Sequence, residues 1–398
     1  MNPKIESQEN PQAKPILTSF CFSDVHNCFS MLEPPYVLRK SATLAIDTLL
    51  ATKGQVDVVM MGGDYMSDYP GWLNCSNTLP YAYYLGYKAA TVKEYARLAK
   101  DGKVLYCAGN HDFAQGEAAT DGPGKNGSYN SFEFYYTGPM NQTPGPLPDS
   151  ERFEIVGEHT GEKYLLCYHY EIRGVHFLAL SPDPDQIWNT QCVGFHPDSL
   201  TWLKNKLEEI DPDGKEVIFL SCHYAMDQRD ARSENVNEGF HHDDFIAGTI
   251  GSLLLGHRNL FYMYGHWTCA HSFHKGTTVK NVIHYYKDQS IIPIEGDELS
   301  SREVKDAEKR AFSSVWMGGF RLDHNGNQEY FEDDPVEGWG GYTDKKRKFP
   351  STATPKMSQG MYIDVFPDRV VFTMMNFGNY PGYETETPIA PYTVYRND

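Results

Sequence analysis

Five short apolar runs constrain the fold of this chain most, because each of them stops at a polar turn. They cover residues 16–22, 56–61, 103–107, 216–221 and 260–264. Between the first three runs, segments 36–52 and 84–100 carry apolar residues at helical spacing. Strands that alternate with helices are typical of parallel βαβ units. The sequence therefore predicts an α/β protein built on a parallel sheet.

Further elements follow the same reasoning. Segments 163–170 and 175–181 are predicted to form a hairpin through Arg173-Gly174, and Pro197-Asp198-Ser199 is predicted to open a helix that ends at Ile210. The remaining predictions are a helix over 245–255 and strands over 314–321, 361–366 and 369–375.

The polar residues that follow the five apolar runs are Asp, Asn and His. They are Asp24 and His26, then Asp64, then Asn110, His111 and Asp112, and finally His223 and His266. One such residue alone is explained as well by a turn as by a site. Ligands of open α/β sheets bind outside the carboxyl ends of the strands, so five ends with this chemistry favour a site. Carboxylate, imidazole and amide groups suit divalent ions such as Mn, Fe, Zn or Mg.

These residues resemble the signature of the calcineurin-like metallophosphoesterases, which runs Asp-x-His, Gly-Asp, Gly-Asn-His-Asp/Glu, His and Gly-His-x-His. The matching positions are Asp24-Val25-His26, Gly63-Asp64, Gly109-Asn110-His111-Asp112, His223 and Gly265-His266. The resemblance extends from residue 16 to about residue 275. It implies a four-layer α/β/β/α sandwich, in which two stacked sheets are flanked by helices. Strand patterns beyond the resemblance predict a β-rich extension at the C-terminus.

The resemblance also implies a role for each matched residue. Asp64 would bridge two divalent metal ions, Asp24 and His26 would hold the first ion, and Asn110, His223 and His266 would hold the second. His111, oriented by Asp112, would stand beside the phosphate and stabilise developing charge or protonate the leaving oxygen. The implied reaction is hydrolysis of a phosphomonoester or phosphodiester by a metal-bound hydroxide.

One position departs from the family pattern, because Thr268 stands where the last histidine ligand is expected. His271 lies three residues further on and could replace that ligand only through a bulge or loop. Otherwise water or substrate fills the position. Asn27 and Tyr65 adjoin predicted ligands, and for each a contact with phosphate and a supporting or packing role both stay open. Two alternatives stay open: a nucleotide pyrophosphatase or cyclic-nucleotide diesterase of the same family, and a metal-binding scaffold with weakened catalysis.

The remaining sequence suggests the organisation of the chain and its partners. Residues 1–15 are expected to be a disordered leader, 16–290 a catalytic domain with a Gly-, Pro- and aromatic-rich insertion over 113–160, and 291–398 a β-rich extension. The net charge of −18 disfavours nucleic acid and leaves a small phosphorylated substrate as the expected partner. No apolar run approaches the roughly 20 residues that span a bilayer. Cysteines set inside apolar runs predict a reducing, cytoplasmic location.

Overall fold

The structure is a computed structural model that describes residues 14–24, 40–63, 94–109, 155–159, 162–181, 195–224, 247–265, 283–287, 290–292, 303–304, 310–318, 358–377 and 391–396. Its strands are β1 Leu17–Phe22, β2 Val58–Met61, β3 Val104–Tyr106, β4 Ile155–His159, β5 Glu162–Ile172, β6 Val175–Leu180, β7 Val217–Ser221, β8 Leu260–Tyr264, β9 Ile283–Lys287, β10 Ser290–Ile292, β11 Glu303–Val304, β12 Phe312–Trp316, β13 Ser358–Val365, β14 Arg369–Phe377 and β15 Tyr392–Tyr395. The helices are α1 Lys40–Thr52, α2 Pro197–Ile210 and α3 Ser252–Leu254, the last preceded by a π-helical turn, Ala247–Gly251.

The strands form two sheets. Sheet 1 has the order β11-β15-β14-β13-β1-β2-β3, and sheet 2 has the order β10-β9-β12-β8-β7-β6-β5-β4. Parallel pairing joins β1, β2 and β3 in sheet 1, and β6, β7, β8 and β12 in sheet 2. The five strands whose ends carry the predicted site residues therefore belong to parallel groups, as predicted. These groups lie in two sheets, as the family resemblance implied, and not in the one sheet that the apolar runs alone predicted.

The two sheets pack face to face through aromatic side chains. The ring of Phe372 on β14 lies 6.4 Å from that of Phe219 and 4.9 Å from that of Phe261, centroid to centroid, and both partners belong to sheet 2. Helix α1 packs on β13 and β14, while α2 packs on β4 and β5. Each sheet thus has a helix on its outer face, and the predicted four-layer α/β/β/α sandwich is confirmed.

Helix α2 has the predicted bounds, for local reasons. Pro197 occupies the first turn, where its missing N–H costs nothing. The Nδ1 atom of His196 accepts a hydrogen bond from the Asp198 N–H at 3.2 Å and caps the helix. On the inner face, Leu203 and Leu207 are buried against the sheet. The helix predicted over 84–100 ends before residue 100. The Val56 N–H donates to the Leu98 carbonyl, and the Lys100 N–H donates to the Val56 carbonyl, so Ala99 forms an isolated β-bridge with Val56.

The C-terminal part of the chain contributes strands to both sheets. Strand β13 pairs antiparallel with β1 next to the parallel group of sheet 1, and β12 lies between β8 and β9 in sheet 2.

Strand β15 was not predicted. The domain boundary at residue 290 stays a prediction. Most of the expected leader, residues 1–13, and most of the expected insertion, residues 113–154, lie outside the described part. No helix in the described ranges is long and apolar enough to cross a membrane.

A buried carboxylate joins the two sheets at the end of β2 opposite the predicted site. Asp57 accepts hydrogen bonds from the Thr18 N–H at 2.8 Å and from Lys100 Nζ at 2.9 Å. The guanidinium of Arg173, from the β5–β6 turn of sheet 2, lies 3.1 Å from the same carboxylate. Burial alone would raise the pKa of Asp57, but hydrogen bonds from Lys100 and the Thr18 backbone, with the charges of Lys100 and Arg173, lower it below its ordinary value.

This arrangement predicts a pH-dependent contribution to stability. The Asp57→Asn variant is expected to lower the free energy of unfolding by about 1–3 kcal/mol at pH 7, since both cationic partners are exposed and screened. A lowered pKa means that this stabilisation is complete above the unfolded pKa of about 3.9 and disappears as the pH falls through the folded value. Urea unfolding at pH 7 and below pH 4 measures it. If the difference in the free energy of unfolding between Asp57→Asn and wild type stayed the same below pH 4, the stabilising role of the Asp57 carboxylate would be contradicted.

Candidate active site

The ends of β1, β2, β7 and β8 meet at one edge of the sandwich. Within sheet 1, the Asp24 N–H donates to the Gly63 carbonyl at 3.0 Å. Within sheet 2, the Gly265 N–H donates to the His223 carbonyl at 2.9 Å. The His223 ring then crosses from sheet 2 to sheet 1, where its Nδ1 lies 2.6 Å from the Gly62 carbonyl oxygen. Two predicted ligands from separate sheets are thereby brought to the same edge.

The hydrogen bond of His223 fixes the chemistry of its ring. A carbonyl oxygen only accepts hydrogen bonds, so Nδ1 must carry the proton that it donates to Gly62. In the neutral ring the lone pair then resides on Nε2. Histidines that bind metals usually donate their other ring N–H to a carbonyl or carboxylate, which fixes the tautomer and the ring orientation. The fully buried His223 therefore fits an Nε2 ligand for a divalent ion.

Asp24 is fully buried at the end of β1 and adopts a left-handed backbone conformation with φ of 55°. For residues other than Gly this conformation costs roughly 1–2 kcal/mol, and Asp and Asn tolerate it best. Such backbone strain concentrates at functional sites, where the surrounding structure holds it in place. A carboxylate and an imidazole suit Mn, Fe, Zn or Mg, so the donor chemistry fits a divalent ion.

Glycines allow this close approach of the chain ends. A Cβ atom on Gly63, whose φ is +90°, would lie 2.5 Å from the Gly109 nitrogen and 2.8 Å from His223 Nδ1. A Cβ atom on Gly265 would overlap the Ser23 hydroxyl and lie 2.7 Å from Asp24 Oδ2. These three glycines directly precede Asp64, Asn110 and His266 in the sequence. The end of β3 therefore joins the same edge as the other four strands.

One of the four described cysteines, Cys222, adjoins the candidate active site. Cys222 directly precedes His223 and is fully buried, and burial raises its pKa to about 11. In the metal-free protein its thiol is therefore neutral at pH 7. The other three described cysteines, Cys21, Cys107 and Cys167, are also buried, as their apolar surroundings predicted.

Of the predicted site residues, Asp24 and His223 are described, and they lie at the same edge. The others fall outside the described residues: His26, Asn27, Asp64, Tyr65, Asn110, His111, Asp112, His266, Thr268 and His271. Within the described ranges no three His, Cys, Asp or Glu side chains are grouped as metal ligands. Sequence reasoning missed Ser23, whose hydroxyl donates to the Gly62 carbonyl at 2.9 Å beneath the site. Its position beside Asp24 was the only available signal.

Comparison with known proteins defines the family to which the chain belongs. The sequence matches the profile of the family described as calcineurin-like phosphoesterase over residues 18–269. The chain belongs to the calcineurin-like phosphoesterase family, which generally uses divalent metal ions, and the predicted resemblance is confirmed. No curated protein sequence matches the chain.

Two solved structures are similar to the chain at low sequence identity. One, described as the structure of PhoD, shares 13% identity with a TM-score of 0.47, and the match covers 92% of this chain and 67% of that one. The other is a 5'-nucleotidase precursor from Thermus thermophilus, with 13% identity and a TM-score of 0.32. That match covers 96% of this chain and 54% of the precursor, so the chain spans about half the precursor's length.

Proposed function

We propose that this chain hydrolyses a small phosphomonoester or phosphodiester at a dinuclear metal centre. The proposed ligands are Asp24, His26, Asp64, Asn110, His223 and His266. One observation carries this proposal: buried Asp24 and His223 lie at the same edge as the glycines that directly precede Asp64, Asn110 and His266. Each of those three ligands is one peptide unit from the cluster, so the chain has little freedom to carry it elsewhere.

In this proposal the protein residues bind and orient, and the ions supply Lewis acidity. Divalent ions, when bound, lower the pKa of water and neutralise charge that develops on the phosphoryl oxygens. Asp24 contributes negative charge in a buried setting, and the Gly62 carbonyl holds the His223 ring in the tautomer that presents Nε2. His111, oriented by Asp112, is proposed to donate a proton to the leaving oxygen.

The charge of the chain bears on the substrate class. With 35 basic and 53 acidic residues the net charge is −18, which repels polyanions such as nucleic acids. A substrate with one phosphoryl group carries little charge, which two bound ions and His111 would offset locally. We therefore propose a small phosphorylated molecule as the substrate.

Metal content and turnover test the proposal together. The protein, purified without chelator, is analysed for bound metals and then assayed with nitrophenyl phosphate and bis(nitrophenyl) phosphate in Mn²⁺ buffer. Two ions per chain with turnover of either ester are expected. One ion per chain would indicate that Thr268 weakens the first site. Absence of bound metal in every metal-supplemented buffer, or bound metal without turnover of either ester, would contradict the proposed hydrolase.

The proposed division of roles predicts different results for two alanine variants. Asp64→Ala is expected to abolish activity and metal binding together, because Asp64 is the proposed bridge between the ions. His111→Ala is expected to lower kcat by about 10²–10⁴-fold, the usual contribution of a general acid, while both ions stay bound. Metal analysis of each variant beside its activity makes the distinction. If His111→Ala loses the ions, His111 is a ligand and the assignment is wrong.

A further inference from the structure

Strand β3 is the last strand of sheet 1 in the part of the chain that the structure describes. The carbonyl of Lys103 and the N–H of Cys107, which flank β3, bond to β2. Because the backbone groups of successive residues in a strand point to opposite sides, those of Tyr106 and Ala108 point away from β2. Such edge groups need partners when they are buried.

Side chains from sheet 2 provide those partners. The Tyr168 hydroxyl on β5 accepts a hydrogen bond from the Tyr106 N–H and donates one to the Tyr106 carbonyl, both at 2.7 Å. The Ser181 hydroxyl, one residue after β6, accepts a hydrogen bond from the Ala108 N–H at 3.1 Å. Tyr168 and Ser181 are 6% and 4% exposed, so water cannot readily replace either bond. Two hydroxyl groups thus act as a substitute for a neighbouring strand.

These contacts hold the chain directly before the predicted Asn110-His111-Asp112 segment. Ala108 is two residues from Asn110, and Gly109 between them packs against Gly63 at the candidate active site. Burial raises the pKa of Tyr168 far above neutral, so its hydroxyl keeps the proton that it donates. At neutral pH the Tyr168 hydroxyl therefore bonds to both backbone groups of Tyr106.

We propose that Tyr168 and Ser181 are positioning residues. By fixing the backbone after β3, they set the position and orientation in which Asn110 and His111 enter the proposed metal centre. The inference rests on the proposed function above. Besides supplying proposed ligands, sheet 2 would then also fix the end of β3 in sheet 1 through these two side chains. Neither residue contacts the reacting atoms in this account, and both act through the backbone of residues 106–109.

The test compares Tyr168→Phe and Ser181→Ala with Tyr362→Phe. Tyr362 is a matched control, because it is 6% exposed and its hydroxyl bonds to Thr18, near the end of β1 opposite the site. Amide hydrogen exchange of metal-free protein is followed at residues 104–109, and Mn²⁺ affinity is measured by titration. Exchange is expected to accelerate at least about tenfold at Tyr106 in Tyr168→Phe and at Ala108 in Ser181→Ala. Mn²⁺ affinity is expected to fall by about 10–100-fold, as for residues that orient ligands.

Kinetics complete the test. For the two site-proximal variants kcat is expected to fall with KM nearly unchanged, and high Mn²⁺ is expected to restore part of the loss. Tyr362→Phe is expected to keep wild-type affinity and kcat even if its thermal stability falls. Unchanged Mn²⁺ affinity and kcat in a folded Ser181→Ala or Tyr168→Phe protein would overturn the positioning role while the proposed function stands. Wild-type protein without metal or turnover would instead overturn the proposed function, and the positioning role with it.

Discussion

The Asp24→Asn variant is expected to lower turnover of the nitrophenyl esters by roughly 10²–10³-fold, because Asp24 is a proposed metal ligand and its loss would remove charge stabilisation from the transition state. Asn has nearly the same size as Asp and tolerates the left-handed backbone found at this residue, where φ is 55°. The metal-free protein is therefore expected to unfold within about 1 kcal/mol of wild type. What changes is the charge of the donor, not the shape of the site.

Metal-induced stabilisation separates this loss from a folding defect. An ion present at 100 times its dissociation constant stabilises a protein by about 2.7 kcal/mol. Wild-type protein is expected to gain such an increment in Mn²⁺, whereas Asp24→Asn gains much less. Thermal unfolding with and without Mn²⁺ measures the Mn²⁺-induced stabilisation of each protein. If Asp24→Asn keeps the full increment and wild-type turnover, Asp24 is not a ligand.

The Asp57→Asn variant serves as the matched control, because Asp57 is also a nearly buried carboxylate at the end of a strand of sheet 1. Its bonds are to Thr18, Lys100 and Arg173, at the edge opposite the candidate active site. Asp57→Asn is expected to lose stability and keep both turnover and the Mn²⁺ increment. Two carboxylates of one sheet are thus expected to give opposite results, one supporting function and the other supporting the fold.

Sequence reasoning identified the five strands that lead to the candidate active site and the edge where they end, because both leave local signals. A buried strand requires an apolar run, and a metal site requires Asp, Asn or His where the run ends. Asp24 and His223 carry both signals, and the structure brings them to one edge of the sandwich. For Asp64, Asn110, His111, Asp112 and His266 the same signals support predictions that the described residues do not test.

Long-range pairing could not be predicted, because alternation of apolar residues does not specify a partner strand. Strand β1 pairs with β13, which lies more than 300 residues further along the chain, and the direction of that pairing is antiparallel. Tyr168 was missed for a related reason. Within segment 163–170 it is one aromatic residue of a strand pattern, and its partner is the backbone of a different sheet. A hydrogen bond from a side-chain hydroxyl to backbone far along the chain produces no pattern in the neighbouring sequence.

The Gly63→Ala variant is expected to cause the largest combined loss of stability and activity. The methyl group would meet the Gly109 nitrogen at 2.5 Å and His223 Nδ1 at 2.8 Å, and Ala would have to adopt a φ of +90°. Overpacking costs about 1–3 kcal/mol and the left-handed backbone about 1–2 kcal/mol more. Since neither Gly109 backbone nor the His223 ring can move without displacing a proposed ligand, activity is expected to fall by at least about 10²-fold in protein that still folds.

Gly54→Ala isolates the backbone part of this effect. Gly54 also has a left-handed backbone, with φ of +76°, but a Cβ atom there would meet nothing within 4 Å. Its variant is expected to lose only about 1–2 kcal/mol and to keep wild-type kcat and Mn²⁺ affinity. Urea unfolding, turnover and Mn²⁺ titration of both variants provide the comparison. Equal losses in the two proteins would mean that φ alone requires glycine at residue 63. A larger loss of stability, Mn²⁺ affinity and kcat in Gly63→Ala alone would mean that close contact requires glycine at residue 63. The ends of β2, β3 and β7 meet at the position that the added methyl group would occupy.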